Sequence, residues 1–481
     1  MRRGITAARC AVAAARSAVT VERSAVMVAR KGVTVVQSAV TVVRSAVAVV
    51  RSAVMVARSA VMVGRSAVVV VRNAVVVARS AVMVGRSALW VVRSAVTVER
   101  RRPAGSPGTL AVVYDVVVLT RVFADNFRAL VNFELRPSRL SLLLGDSGSG
   151  KSSIFNVLGA LRDLIVLGRS STELFAFTRT KWESREVQRF ELDFEADGAT
   201  YRYALEIQHP QRTHDKPHIR SESVNVEGQP LYRFSDGEVH LHYDDHSRSS
   251  VFPFRADQSY LMNLETDRVS RLGRLARFKE LVAGLWIIQP NPFAIDLVSK
   301  QYAPFLARHG FNFAAFYDYL NAERPDARSA LEERLREAIP GFRNFRFKTL
   351  DEGKILLTDF GEGKEKAELT LLDLSEGQRV LAMLYAVVFG HLHSGSVLCF
   401  DEPDNFISLP EIQPWLQVLR DSLEDQGGQA LIISHHPEVI DYLAVDSIWR
   451  FERPSGPVIA RPYEPDGPAE LKLSELIARG A

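Results

Sequence analysis

The sequence is poor in cysteine, in uninterrupted apolar stretches and, once its first hundred residues are set aside, in positive charge. Its two cysteines, Cys10 and Cys399, stand far apart among 481 residues. That excludes a disulfide framework and a cysteine-based metal cluster, and suits a reducing compartment. No apolar run reaches the roughly eighteen residues of a membrane-spanning helix, because arginine or another polar residue interrupts the N-terminal valines about every seventh position. The start also lacks the apolar stretch of a secretory signal, so a cytoplasmic protein with no membrane partner is expected. The formal charge of +4 hides an asymmetry: residues 1–103 hold 18 Lys/Arg against 2 Asp/Glu, a formal +16, which leaves about −12 for the remainder. Nucleic acid would therefore need a local basic patch after residue 103, since overall basicity is absent there.

What is present starts with a repeat. Between Arg9 and Arg100 the unit Arg-Ser-Ala-Val-x-Val-x recurs with a period of seven. In a strand an odd period sends successive arginines to opposite faces, so no buried face survives. In a helix seven residues make nearly two turns, and the arginines form one slowly drifting stripe. Near-identical heptads also read as a translated tandem DNA repeat, from an open frame upstream of the true start. Residues 1–100 are taken as low complexity, with an interaction arm as the alternative, and 101–112 as a linker containing Pro103, Gly105, Pro107 and Gly108.

The whole chain, 47% apolar and 24% charged, has the composition of a soluble globular protein. The segments 112–120 and 131–145 read as strands, the second running into "GDSGSGKSS", Gly145 to Ser153. After it, Ile154, Phe155, Leu158, Leu161, Leu164 and Ile165 recur at helical spacing. A glycine loop between a strand and a helix N-terminus is the setting of a phosphate-binding loop, and Gly145-x-x-x-x-Gly150-Lys151-Ser152 fits its pattern G-x-x-x-x-G-K-[ST]. Gly145, Gly148 and Gly150 free the backbone to curl, so that the amides of Asp146, Ser147, Ser149 and Ser153 can point at phosphate oxygens near the positive end of the helix dipole. Lys151 would reach the β- and γ-phosphates of a nucleotide such as ATP, and Ser152 would ligate Mg²⁺.

Three further segments bear on which nucleoside triphosphatase this is. "VLCFDE" reads as a buried strand ending in Asp401, for the metal shell, and Glu402, to deprotonate the attacking water. Leu374-Ser375-Glu376-Gly377-Gln378 opens an apolar helix that Ser375 can cap, and whose free amides offer a second phosphate site. "ALIISHH" is another strand, ending near His435, which could contact the γ-phosphate.

In this order the motifs resemble the head of an ABC-type ATPase. More closely, "NFRALVNFEL", "LSEGQRVL", "DEPDNFISLPEIQPWL" and "ISHHPEVID" resemble bacterial single-chain ATPases labelled AAA-type, relatives of RecF, the chromosome-maintenance heads and the OLD-family ATPases. The resemblance implies an α/β P-loop NTPase fold with an ABC-like head, built of a mixed sheet, an antiparallel β-lobe and a helical insert. It implies ATP on Gly145 to Ser153, Mg²⁺ near Ser152 and Asp401, Glu402 as base and His435 as switch histidine. Ser375 and Gly377 would face the γ-phosphate of a second copy in an ATP-dependent homodimer. One departure is Glu376, where the signature carries a second glycine. Gln289 is a weak candidate for the family's loop glutamine, and Phe127 is a candidate for the adenine pocket but is read first as a core residue.

The ATPase domain is placed at 113–465, with an insert at about 170–370 and a tail at 466–481. In the insert, Phe190, Leu192 and Phe194 share a parity, as do Tyr201, Tyr203, Leu205 and Ile207, which predicts an antiparallel hairpin. Helices are expected in 268–286 and 327–342. Arg268, Arg271, Arg274, Arg277 and Lys279 of the first form the notable basic cluster, read as a solvated face before a DNA contact. About 45 residues follow His436, too few for an appended nuclease domain. The expected function is an Mg²⁺-dependent ATPase switch in DNA repair or phage defence, with DNA or a nuclease or other effector as partner. An ATP-binding scaffold and a transporter-energising subunit are the alternatives.

Overall fold

The computed structural model describes residues 118–478 except 211–215, 246–247, 265–270, 444–446 and 464–472. The heptad repeat, the linker, Cys10 and Arg268 lie outside the described residues. Strand β1 (Val118–Asp125) pairs antiparallel with β2 (Phe133–Leu135). The single strand expected over 131–145 is in fact two strands in different sheets. Pro137 has no amide hydrogen for a ladder, the chain turns there, and β3 (Leu140–Leu144) begins anew in another sheet.

After β3 come helices α1 (Lys151–Ile165) and α2 (Ser171–Phe175). An antiparallel meander follows: β4 (Val187–Ala196), β5 (Ala199–Gln208), β6 (His218–Val226), β7 (Gln229–Ser235), β8 (Glu238–His242) and β9 (Arg248–Pro253). Together with β1 and β2 they make an eight-stranded lobe, in the order β2-β1-β4-β5-β6-β7-β8-β9. The parity seen in the sequence is its cause. Phe190, Leu192 and Phe194 oppose Leu205, Tyr203 and Tyr201, and all six are buried in one core with Ile154, Phe155, Leu158 and Leu161 of α1. Removing a ring such as Phe155 from this core would cost about 3–5 kcal/mol.

Helix α3 (Gly273–Ala283) stacks Phe278 on Tyr203, ring centroids 5.5 Å apart. Of the basic cluster, Arg277 pairs with Asp197 at 2.8 Å, Arg271, just before α3, pairs with Asp245 at 3.2 Å, and Lys279 donates to the carbonyls of Met262 and Leu264 at 2.6 and 2.7 Å. These three members of the basic cluster are ties within the lobe, while Arg274 is exposed.

Then come β10 (Leu285–Ile288), β11 (Val298–Ser299), α4 (Phe313–Glu323), α5 (Pro325–Ala338), β12 (Phe342–Leu350), β13 (Gly353–Phe360) and β14 (Ala367–Thr370). β11, β12 and β14 each pair with β13 in a small antiparallel sheet. The last stretch holds α6 (Glu376–His391), β15 (Val397–Asp401), α7 (Leu409–Gln426), β16 (Gln429–Ile433), α8 (Pro437–Leu443), β17 (Ser447–Glu452) and β18 (Ile459–Pro462). Helix α9 (Leu473–Ala478) falls in the expected tail, yet Leu473 is buried and Ser474 donates twice to Asp441 of α8, each at 2.9 Å.

The central sheet runs β10-β15-β16-β3-β17-β18, parallel from β10 to β17. β15, β16 and β3 are buried along their whole length, as unbroken apolar strands sandwiched between two layers must be. Cys399, Leu431 and Leu143 face α1, while Leu398, Phe400 and Leu142 face α6. A column of flat groups crosses the two layers: Arg162 lies 4.4 Å from the Trp286 ring, Trp286 stacks on His391 at 3.8 Å, and His391 stacks on Phe316 at 4.7 Å. Burial drives the His391 pKa down to about 3, and its Nε2 accepts from the Leu306 amide at 3.1 Å. Among the described residues no helix is long and apolar enough to cross a membrane.

Candidate active site

At the C-terminal edge of the parallel sheet, the loop after β3 turns into α1 through Gly145, Gly148 and Gly150, with φ of +143°, +82° and +100°. Gly145 is forced by space as well as by conformation: a Cβ there would lie 2.2 Å from the Phe451 carbonyl oxygen. The helix start at Gly150 has no side-chain cap and no acidic residue in its first turn, which leaves amide dipoles available to an anion. Lys151 is buried, and its Nζ donates to the carbonyl oxygens of Gly145 and Asp146 (3.0 Å for the latter) and to Ser149 Oγ at 3.5 Å. Burial lowers its pKa, against the pull of Glu402, Asp146 and Asp401.

Two strands away, β15 delivers Asp401 to the same point. Its Oδ1 accepts from Ser152 Oγ at 3.0 Å, and its Oδ2 pairs with Arg308 at 3.4 Å. Arg308 also donates to Asn156 of α1 at 2.6 Å. Burial raises the Asp401 pKa, while the Ser152 hydrogen bond and Arg308 oppose the rise. Glu402 follows with a left-handed backbone, φ +52°, which costs a non-glycine residue about 1 kcal/mol or more. Its amide donates to the Ile433 carbonyl at 2.9 Å, which fixes the turn. Its carboxylate accepts from Asn405 Nδ2 at 2.9 Å and lies 3.9 Å from His435 Nε2, just past β16.

These groups open on one cleft of about 550 Å³, whose lining includes Ser147, Gly148, Gly150, Lys151, Ser152, Ser153, Glu402 and His435. Its other walls escaped sequence reasoning: Arg128, Phe177, Arg179, Lys181, Trp182 and Arg453. Five cations face one carboxylate among the lining residues. A unit that is acidic in sum thus concentrates positive potential where a triphosphate would lie.

Other anticipated residues sit elsewhere. Ser375 caps α6: its Oγ accepts from the Gln378 amide at 3.2 Å and its own amide donates to Gln378 Oε1 at 3.0 Å. At Gly377 a Cβ would lie 2.6 Å from the Phe406 carbonyl oxygen, so the head of α6 rests on the loop that follows Glu402. Ser375 is exposed, and neither it nor Gly377 lines the cleft. Gln289 is beside the site through its backbone, its amide donating to the Arg308 carbonyl at 2.7 Å. Phe127 takes the core place read for it first: it is 1% exposed and packed edge-on against Phe190 at 5.6 Å. The cleft's aromatic rings are Phe177 and Trp182.

A strand, phosphate loop and helix set beside a strand ending in Asp-Glu, on a mixed sheet with an antiparallel lobe, define a P-loop ATPase fold of the ABC/AAA type. The chain belongs to the family described as "AAA domain, putative AbiEii toxin, Type IV TA system", which matches residues 140–441. No curated protein matches the sequence. Among solved structures it is similar to the SMC head domain from Thermotoga maritima, at 15% identity and TM-score 0.38, over 72% of this chain and 99% of that one. It is also similar to the SmcHead bound to the C-winged helix domain of ScpA, at 13% identity and TM-score 0.44, over 75% and 99%. A third is the Smc head domain with an extended coiled coil bound to the C-terminal domain of ScpA derived from Pyrococcus furiosus, at 12% identity and TM-score 0.44, over 76% and 98%.

Proposed function

We propose that this protein binds ATP and hydrolyses it to ADP and inorganic phosphate. The observation that carries this is the shared cleft: Lys151 and Ser152 on one side and Glu402 and His435 on the other line the same space. The Lys151 ammonium, released from its loop carbonyls, and the free amides of α1 hold the β- and γ-phosphates. Glu402 takes the proton of a water whose oxygen bonds to the γ-phosphorus as the bond to the bridging oxygen breaks. Asn405 aims that carboxylate, and His435 stands at the γ-phosphate end. Ser152 Oγ and Asp401 Oδ1 are hard oxygen donors 3.0 Å apart, a set that fits Mg²⁺, which is commonly bound through one or two carboxylates and substrate phosphates. When bound there, the ion supplies positive charge to the phosphate oxygens.

Ser375 and Gly377, outside the cleft at an exposed helix head, support contact with a nucleotide held by a second copy. The protein would then be an ATP-gated homodimer acting with an effector partner or on DNA, as a switch in phage defence or DNA repair. A second reading, an ATP-binding scaffold with slow turnover, draws on Glu376, exposed next to Ser375 where it would repel an incoming γ-phosphate. Calorimetry of the full chain with ATP and Mg²⁺ tests the common part. Binding is expected and should fall at least tenfold in Lys151→Ala; equal affinity in the two proteins would refute it.

A further inference from the structure

Resting on that reading, we propose that Arg308 sets the metal preference of the site: by holding one oxygen of Asp401 it leaves the other as a single hard donor, an arrangement that suits Mg²⁺ and disfavours Ca²⁺. The hold is a closed ring of contacts. Ser152 and Asn156 lie one turn apart on the same face of α1. Ser152 Oγ donates to Asp401 Oδ1 at 3.0 Å. One terminal nitrogen of Arg308 donates to Asn156 Oδ1 at 2.6 Å, and the other reaches Asp401 Oδ2 at 3.4 Å. Asp401 ends a strand buried along its whole length and is itself 1% exposed. The last torsion of an aspartate side chain is soft, so it is the partner on each oxygen that decides which of the two faces Ser152.

Arg308 can act as a clamp because its own loop, between β11 and α4, is strapped down. The Leu306 amide donates to His391 Nε2 at 3.1 Å, and the Ala307 amide to Asn312 Oδ1 at 2.8 Å. The carbonyls of Arg308 and His309 accept from the amides of Gln289 and Asn291 at 2.7 and 3.1 Å. Residues 306–309 are thus fixed to the end of α6, to the head of α4 and to the turn after β10. At Gly310, φ +76°, a Cβ would lie 2.3 Å from Met383 Sδ, so the loop is also pressed against α6. A guanidinium carried on such a loop keeps its place, and groups that orient a metal's ligand from behind work by being fixed. The two ions ask for different things. Mg²⁺ is small, keeps near-octahedral geometry and takes one oxygen from a carboxylate, whereas Ca²⁺ takes about six to eight oxygens, often both from one carboxylate. With Oδ2 tied to a cation, Asp401 has one oxygen to give.

The test is calorimetry of the full chain with ATP in excess Mg²⁺, ATP in excess Ca²⁺ and ATP in a chelator, in the parent, Arg308→Ala and Asn156→Ala. Groups that orient a metal ligand are worth roughly 10- to 100-fold, so Arg308→Ala should weaken ATP binding by about that factor in Mg²⁺ and by less than about threefold in Ca²⁺. Asn156→Ala, which alters no charge, should narrow the preference for Mg²⁺ in the same direction by less, and it decides alone should Arg308→Ala fail to fold. Loss of a nearby cation by itself would weaken metal-free ATP most, because that form carries the most negative charge. If metal-free ATP loses as much as ATP with Mg²⁺, if binding with Mg²⁺ tightens in Arg308→Ala, or if both variants keep the parent's ratio of Mg²⁺ to Ca²⁺, the role of Arg308 is refuted and the ATP reading stands. If the parent binds ATP under none of the three conditions, the ATP reading itself fails and takes the metal preference with it.

Discussion

Replacing Glu402 by glutamine keeps the shape of the side chain and removes its charge. The turn at φ +52° is as accessible to glutamine as to glutamate, the Ile433 carbonyl still receives the backbone amide, and the amide oxygen can still accept from Asn405 Nδ2. Folding should therefore be unaltered, with the unfolding midpoint within about 2 °C of the parent. What disappears is the proton acceptor. A positioned general base contributes about 10²- to 10⁴-fold, or roughly 3–5 kcal/mol of barrier, and kcat should drop by that factor. ATP affinity should hold or improve, because the substitution removes a negative charge from the wall that faces the γ-phosphate, with Lys151 and the loop amides untouched. Single-turnover release of phosphate, with affinity measured separately, resolves the two effects. A Glu402→Gln protein that releases phosphate within about threefold of the parent rate would show that the base lies elsewhere.

The slowed variant should accumulate as an ATP-dependent dimer in light scattering, and adding Ser375→Arg should return it to monomer; a dimer that survives the arginine would remove α6 from the interface. Gly145→Ala must place a Cβ 2.2 Å from the Phe451 carbonyl oxygen at φ +143°, so it should cost about 2 kcal/mol or more of stability, seen as a lower denaturant midpoint, and unchanged stability would contradict the loop geometry. His391 is held neutral, its pKa lowered to about 3 by burial, so the unfolded chain takes up a proton below pH 6.5 that the folded one refuses. Its stability contribution is intact above pH 6.5 and is lost as pH falls toward 3, amounting to about 2 kcal/mol at pH 5. His391→Phe should flatten the pH dependence of the denaturation midpoint between pH 7.5 and 5, and an unflattened profile would assign the slope to other groups.

The sequence disclosed those parts of the site that are local. Gly145 to Ser153 lie in one turn between a strand and a helix, and each demand of the chemistry, conformational freedom, a cation and a hydroxyl, falls on a neighbouring residue. The strands ending at Asp401 and His435 were legible because burial on both faces forces an unbroken apolar run, and the β4-β5 hairpin because one buried face forces alternation. The break at Pro137 was misread because Phe133, Leu135 and Leu140 are all apolar, and a pattern of polarity does not say which sheet a strand joins. Arg308, Trp182 and Arg453 were missed for a different reason. Each is an isolated residue on a loop, and only the tertiary fold brings it within reach of α1. Phe127, read first as core, is buried as expected, whereas nothing short of packing shows that Trp182 is an open ring.

The place of β3 bears on how the molecule can be made. Its two edges are closed by β16 and β17, so the strand at residues 140–144 waits for partners that begin at residue 429. During synthesis a growing chain that already carries its phosphate loop must keep that strand unpaired while almost three hundred further residues emerge, a long interval of bare backbone and apolar surface in which premature association is a hazard. No nascent chain that stops short of β16 can possess the finished cleft, because the loop's supporting strand, the carboxylates and the histidine come together in a single late closure.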